Sequence, residues 1–315
     1  MIVAITGATG TLGRRLVSQH LEAGDLVRTL SRQSQPGLPP AVEVHRGDLA
    51  SDSATLARFA DGADVLYHCA AEIRDPQRMM EVNVTGTGRL VSAARAKVRC
   101  WVQLGSIAVY GTPETGVITE DTPPHPVDLY GRSKAEADQI VLGAAQQGGF
   151  AARVLRPAKV FGASIDSENN DILFRLFALI DRGLFFFIGE PGALTHYVHV
   201  DNVVAALIRC GRGNASGARV YNLSDDCPLE RFVAEIAGAL GKPRPTLRVP
   251  ERPARWLARA LGPIPGFPLN EKRLSALVNR ASFPIARARD DLGYTHCVPV
   301  EAGIRALAQV WQASR

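Results

Sequence analysis

Several features are missing from this 315-residue chain, and each absence narrows what it can be. Cysteine is scarce: Cys69, Cys100, Cys210, Cys227 and Cys297 are odd in number, far apart and without metal-ligand spacing. That excludes a disulfide framework and a cysteine metal centre, and suits core thiols in a reducing compartment. Long apolar runs are absent too. The longest, Ile172 to Ile188, is broken by Arg175, Asp181 and Arg182 and cannot span a bilayer. No leader precedes the first strand-like stretch, which begins directly after Met1, so a soluble cytoplasmic protein is expected. The net charge of +5 comes without a long run of one sign or a basic-aromatic patch, so nucleic-acid binding is not indicated. A mildly basic surface would still attract anionic small molecules. No internal repeat is visible. What is present is 46% apolar residues, enough for the core of an α/β domain with a smaller appendage.

From Met1 to about Phe161, apolar runs alternate with helix-periodic stretches. Strands are expected at Ile2–Ile5, Leu26–Leu30, Val42–His45, Val65–His68, Trp101–Leu104 and Ala152–Leu155. Helices are expected at Leu12–Glu22, Ser53–Phe59, Met79–Ala94 and Leu129–Ala145. The alternation predicts an α/β fold with a doubly wound parallel sheet. After Gly162 the pattern loosens. Tyr197–Val200, Asp201–Cys210 and Val220–Leu223 read as a return to the sheet, Arg231–Leu240 as a helix, and Pro243–Pro268 is rich in proline and arginine. The expected organisation is a nucleotide-binding domain over 1–165, rejoined by 195–223, and a substrate lobe from 166–194 and 224–315.

Two patterns carry chemistry. The first strand runs into Thr6-Gly7-Ala8-Thr9-Gly10-Thr11-Leu12-Gly13, with a helical stretch behind it. Glycines so spaced let the backbone turn and approach a pyrophosphate, which rests on amides at the helix N-terminus. This is a dinucleotide site. The carboxylate that usually ends the second strand and bonds the ribose is missing; Leu30 is followed by Ser31 and Arg32. A guanidinium and a hydroxyl can hold a 2′-phosphate that a carboxylate would repel, so NADP(H) is expected in preference to NAD(H). The second pattern is Tyr130 and Lys134, four apart on one helical face in LYGRSKAEADQIVL. A cation beside a phenol favours the phenolate, which suits proton exchange at a carbinol or carbonyl.

Together these residues resemble the extended short-chain dehydrogenase/reductase family, its NAD(P)-dependent epimerase/dehydratase group, with 3β-hydroxysteroid dehydrogenase-like features. The likeness covers nearly the whole chain. It includes TGATGTLG at Thr6–Gly13, GDL at Gly47–Leu49, HCAA at His68–Ala71, NVTGT at Asn83–Thr87 and LGSIAVYG at Leu104–Gly111. YGRSK at Tyr130–Lys134, RPAKVFG at Arg156–Gly162, YVHVDNVV at Tyr197–Val204 and YNLSDD at Tyr221–Asp226 continue it. The resemblance implies a Rossmann fold and hydride transfer at a carbinol or carbonyl carbon. It gives Ser106 a hydrogen bond to the reacting oxygen, Tyr130 the proton exchange, Lys134 the nicotinamide ribose and the lowered tyrosine pKa, and Asn83 support of the proton path. It sets Gly7, Thr9, Gly10, Thr11, Leu12 and Gly13 under the phosphates and Asp48 and Leu49 at the adenine end. Cys69, Ala70, Ala71, Pro157 and Val160 would pass close to the cofactor. An intact Ser-Tyr-Lys set argues against a non-catalytic NADP-sensing regulator. Relatives often dimerise through two sheet-domain helices, which implies a homodimer involving the helix of Tyr130.

The substrate is where the signal thins. Phe187–Asn202, Cys69–Asp75 and Asp290–Tyr294 look like sugar-modifying members, so the leading expectation is a nucleotide- or lipid-diphosphate-linked sugar, acted on by an epimerase or 4-ketoreductase. Asn170, Arg273 and Arg280 are its candidate contacts, since arginine matches phosphate geometry. The alternatives are a 3β-hydroxysteroid dehydrogenase-like enzyme, with Leu173–Phe187 lining an apolar pocket, and a dihydroflavonol reductase-like enzyme. NADP preference favours a ketoreductase over an epimerase that retains NAD. Gly105-Ser106-Ile107 departs from the dehydratase pattern. In Arg252–Leu261 the arginines recur at helical spacing opposite Trp256 and Leu257; this reads first as a surface helix of the lobe, and otherwise as a weak membrane contact.

Overall fold

The apolar runs of the N-terminal half become strands covered on both faces. The computed structural model describes residues 1–34, 37–163, 167–213, 216–261 and 271–314. The strands are β1 (Ile2–Thr6), β2 (Leu26–Ser31), β3 (Glu43–Arg46), β4 (Ala63–His68), β5 (Val98–Leu104), β6 (Ala151–Pro157), β7 (Lys159–Phe161), β8 (Phe187–Ile188), β9 (Leu194–His199), β10 (Ala218–Leu223), β11 (Asp225–Pro228) and β12 (Arg248–Val249). The helices are α1 (Thr11–Glu22), α2 (Ser53–Ala60), α3 (Pro76–Met80), α4 (Gly86–Ala94), α5 (Leu129–Gln146), α6 (Ser167–Asp181), α7 (Val200–Arg212), α8 (Leu229–Ala239), α9 (Glu251–Leu261), α10 (Glu271–Val278), α11 (Ala286–Leu292) and α12 (Val300–Ala313).

Seven parallel strands form the large sheet in the order β10-β6-β5-β4-β1-β2-β3. Val3, Ala4 and Ile5 of β1 and Val65, Leu66 and Tyr67 of β4 are fully buried, as continuous apolar strands between two helix layers must be. Leu16, Val17, Val203 and Leu207 of α1 and α7 cover one face. Leu56, Phe59, Leu90 and Val141 of α2, α4 and α5 cover the other. Strand order reverses between β1 and β4, and such a switch point leaves a crevice at the carboxyl ends of the two strands. The glycine loop leaves β1 there, and the HCAA segment leaves β4.

The lobe has its own core. Phe177, Phe232, Ile236, Ile304 and Leu307 join α6, α8 and α12. Of the expected 195–223 return, α7 and β10 do join the large sheet. The first strand does not: β9 pairs with β7 and β11 in a separate three-stranded sheet. Further along, α11 packs Ala288 into the sheet-domain core, so the C-terminal third is shared between the two halves. The expected helix Met79–Ala94 is interrupted by a π-helical turn at Glu81–Thr85. The predicted boundary at 165 and the stretch Gly262–Pro268 lie outside the described residues. Among the described residues no helix is long and apolar enough to cross a membrane.

Candidate active site

The crevice floor is built from backbone. Helix α1 begins at Thr11 behind Gly10, with no side chain capping its first turn. The amides of Thr11, Leu12 and Gly13 therefore lack intrahelical acceptors and would suit a phosphate. Gly13 lies against the loop so closely that a Cβ there would stand 2.1 Å from the Gly7 carbonyl oxygen. Thr9 and Gly10 are exposed at the rim. These features fit a dinucleotide pyrophosphate. Arg14, which the sequence reading passed over, braces the cradle: its guanidinium donates to the Thr9 carbonyl at 2.9 Å and the Gly37 carbonyl at 2.8 Å.

Beside the cradle, Ser31 ends β2 directly opposite Arg46 of β3, and Arg32 is exposed. Asp48 is exposed as well, and one carboxylate oxygen accepts the Ala50 amide at 2.8 Å. Leu49 is different: it is buried beneath Gly86 as core. Cys69 and Ala70 are half-buried and Ala71 is exposed, all on the segment leaving β4. Pro157 ends β6 and Val160 lies on β7, which puts both at the carboxyl side of the sheet.

Ser106 follows β5 and opens a 3-10 turn, Ile107–Tyr110, its hydroxyl accepting the Ala108 amide at 3.2 Å. Asp128 caps α5 by accepting the Gly131 amide at 2.8 Å. Only glycine fits at 131, because a Cβ would lie 2.5 Å from the Ala108 carbonyl oxygen. The serine turn and the helix start that carries Tyr130 are thereby pressed together. One turn on, Lys134 is buried and donates to the Leu104 carbonyl at the end of β5. Ser106, Tyr130 and Lys134 thus converge at the carboxyl end of β5.

Among the described residues Asn83 makes no hydrogen bond to the Tyr130 or Lys134 side chain, but it reaches Ser133, whose hydroxyl donates to the Tyr130 carbonyl at 2.9 Å. Its amide spans two other elements: Oδ1 accepts the Glu72 amide at 2.7 Å, and Nδ2 donates to the Glu72 carbonyl at 2.9 Å and Ser133 Oγ at 3.0 Å. It ties the segment after β4 to the helix of Tyr130, and the π-helical turn is what aims it there. Such turns recur at functional sites.

Beneath this lies a relay for which the HCAA motif gave no role. The Ala70 amide donates to Thr6 Oγ1 at 3.2 Å, and Thr6 Oγ1 pairs with His68 Nδ1 at 2.7 Å. His68 Nε2 pairs with Thr87 Oγ1 at 2.9 Å, and Thr87 donates to the Asn83 carbonyl at 2.6 Å. Thr87 spends its proton on Asn83, so it must accept from His68, which sets the Nε2–H tautomer. Burial, with the nearby Lys134 charge, holds His68 neutral, its pKa lowered to about 3.

A second buried network locks the far side of α5. Arg156 Nε pairs with Asp138 at 2.9 Å, Arg156 Nη1 donates to Tyr110 Oη at 2.8 Å, and Tyr110 donates to Asn222 Oδ1 at 2.9 Å. Burial pushes the Asp138 carboxyl up, while the Arg156 and Lys134 charges pull against it. Three chain segments and the helix of Tyr130 meet here. The motifs around Tyr110 and Arg156 were visible in the sequence, but nothing in them announced the pairing.

The lobe candidates do not join this constellation. Asn170 is buried and its amide donates to the Gly162 carbonyl at 2.9 Å. The Arg280 guanidinium donates to the Glu190 carbonyl at 2.9 Å and the Pro191 carbonyl at 3.3 Å. Arg273 is exposed. Leu173, Phe177, Ile180, Phe185 and Phe187, expected as a pocket lining under the steroid-like alternative, form the lobe core instead.

Comparison with known proteins agrees with this geometry. Residues 3–224 match the model of the NAD dependent epimerase/dehydratase family. A 3 beta-hydroxysteroid dehydrogenase/Delta 5-->4-isomerase of Mycobacterium tuberculosis is 29% identical, the match covering 94% of this chain and 89% of that one. A 4-hydroxy-2-methyl-3-oxo-4-farnesyl-3,4-dihydroquinoline-1-oxide ketoreductase of Stigmatella aurantiaca is 28% identical over 99% of this chain and 97% of its own. Among solved structures, MoeE5 in complex with UDP-glucuronic acid and NAD superposes with a TM-score of 0.74 at 24% identity, covering all of both chains. UDP-glucuronic acid 4-epimerase from Bacillus cereus gives 0.74 at 17% identity, over 100% of this chain and 99% of that one. At such identities these two likenesses speak for the fold alone. The chain belongs to the NAD dependent epimerase/dehydratase family and is an NAD(P)-dependent enzyme of the extended short-chain dehydrogenase/reductase type.

Proposed function

We propose that the protein exchanges a hydride at a secondary carbinol or ketone carbon of a bulky apolar substrate, of the size and character of a sterol or an isoprenoid ketone. The observation that carries the substrate class is the apolar surface of the loops that lead away from the catalytic strands. Ile73 is 52% exposed, Val117 66% and Val127 58%, all on the loops that follow β4 and the Ser106 turn. Large apolar side chains left open on the loops that follow catalytic segments favour an apolar ligand. Two further facts support this reading. Curated relatives matching nearly the whole chain are named for hydroxysteroids and a farnesylated ketone. Of the three expected contacts, Asn170 and one guanidinium nitrogen of Arg280 donate to backbone carbonyls, while Arg273 is exposed.

The chemistry divides simply. The nicotinamide, when bound, supplies or accepts the hydride. In the oxidising direction the Tyr130 oxygen takes the hydroxyl proton as the carbon gives up its hydride, and the carbonyl forms. Ser106 donates to the same oxygen and holds it in place. Lys134 sets a positive charge one helical turn from Tyr130, stabilising negative charge there. Asn83 and the His68 relay act as positioning groups, since they hold the two walls of the crevice and touch no reacting atom. Gly7, Thr9, Gly10, Thr11, Leu12 and Gly13 would hold the pyrophosphate.

NADP(H) is the cofactor we favour. No carboxylate ends β2, and Ser31 and Arg32 stand at that end with Arg46 in register beside them. Arg32→Ala should weaken NADPH binding at least tenfold and leave NADH binding nearly unchanged, read by quenching of tryptophan emission; equal losses would remove the preference.

For the substrate, the purified enzyme with NADP⁺ or NAD⁺ would be offered a 3β-hydroxysteroid, UDP-glucose and UDP-glucuronic acid. Reduced nicotinamide should appear with the steroid. Epimerised sugar with no steroid turnover would return the reading to sugar diphosphates.

A further inference from the structure

Helix α9 wears its apolar side chains the wrong way round for a self-contained lobe. Ala254 and Ala258 are buried, against Ile188, Leu274 and Val278. Its larger apolar groups point outward: Trp256 is 71% exposed and Leu257 37%, with Pro253 and Ala260 exposed beside them. A surface helix ordinarily turns its large apolar residues to the core and its polar ones to water. The arginines are not opposite this face, contrary to the sequence reading. Arg252 precedes Trp256 by four residues and Arg259 follows it by three, so both stand on the tryptophan's side. Arg255 is the exception, turned toward Glu114 and Glu251 in ion pairs of 3.0 and 2.8 Å. Among the described residues Arg252 makes no ion pair and Arg259 pairs with Glu271 alone, both groups of that pair being largely exposed.

We infer that this face of α9 docks on an anionic lipid surface. Four outward apolar residues cover far less than the roughly 800 Å² per side that a stable protein interface buries. A bilayer needs no such area. It accepts an amphipathic tryptophan at the headgroup level and lets arginine heads reach phosphate while their stems stay apolar. The apolar residues match the acyl boundary, and Arg252 and Arg259 match its charge. The inference does not depend on the substrate reading, though a membrane-dissolved substrate would give it a purpose.

The test uses the intact protein with vesicles of phosphatidylcholine, alone or with about a third phosphatidylglycerol. Co-sedimentation should be strong on the anionic vesicles and at least tenfold weaker on the neutral ones. It should fall with added salt. Trp101 and Trp311 are buried, so a blue shift of tryptophan emission on binding would report Trp256. Trp256→Ser with Leu257→Ser should abolish sedimentation and the shift without changing turnover of a water-soluble test substrate. Arg252→Glu should weaken binding to anionic vesicles at least fivefold. Equal binding to both vesicle types, no binding to either, or full binding by the double variant would overturn the inference.

Discussion

At the carboxyl end of the large sheet, the Ser106 turn is pressed against the helix start of Tyr130 through Gly131, Lys134 is tied to the end of β5, and the residues behind them are buried and paired. Across the crevice the lobe is built otherwise. Its core closes on itself, Asn170 and Arg280 hold backbone carbonyls, and Arg273 faces water. The contrast teaches where each part of the function resides. Reaction chemistry needs side chains held to fractions of an ångström, and only a sheet with buried hydrogen-bonded support provides that. Under the proposed function, substrate choice is left to exposed loops, whose side chains need only an approximate shape.

The comparison is broken most severely by removing support on the sheet side. Asp138→Asn leaves the Arg156 guanidinium buried beside a neutral partner. The loss of stability should be about 3–5 kcal/mol, measured by urea unfolding. A loss below about 1 kcal/mol would show that the pair does not hold α5.

His68 gives a pH signature. Its folded pKa is lowered to about 3 from 6.5, so the fold favours the neutral ring. The contribution is whole above pH 6.5 and is lost as pH falls from there toward 3, at ~1.4 kcal/mol per pH unit. His68→Gln cannot titrate, so stability plotted against pH should be flatter than wild type in that window. Parallel curves would mean that the ring protonates freely in the folded state.

Asn83→Ala should cost about 1–3 kcal/mol, since Glu72 backbone groups and the Ser133 hydroxyl lose partners. Hydrogen exchange should quicken at residues 69–75, and catalysis should fall through kcat more than KM. Unchanged exchange would make the clamp dispensable.

On the lobe side the smallest effect is expected. Arg280→Ala should cost about 1 kcal/mol of stability and leave kcat/KM for an apolar alcohol within a factor of about two. A tenfold rise in KM would bring Arg280 into the substrate site.

Much of the sheet side was legible in the sequence because its signals are local. Glycines at 7, 10 and 13, a tyrosine and lysine one turn apart, and apolar runs of strand length each speak within a dozen residues. What stayed hidden is non-local. Thr6 and His68 meet across 62 positions, and Tyr110 and Asn222 across 112. The π-helical turn at Asn83 leaves the apolar period almost intact, so Met79–Ala94 read as one helix. β9 has the composition of a strand in the large sheet, and only its partners show that it belongs to a smaller one. Leu173 and Phe177 illustrate a further limit: apolar residues at helical spacing look alike whether they line a pocket or fill a core.

The most direct test of the account is a single-turnover measurement of hydride transfer by wild type and Tyr130→Phe, with cofactor affinity measured on the same samples. The Phe variant should bind NADPH as wild type does and lose about three orders of magnitude in the transfer step. Transfer at the wild-type rate would contradict the assignment of the proton to Tyr130, and with it the claim that the chemistry resides at the end of β5.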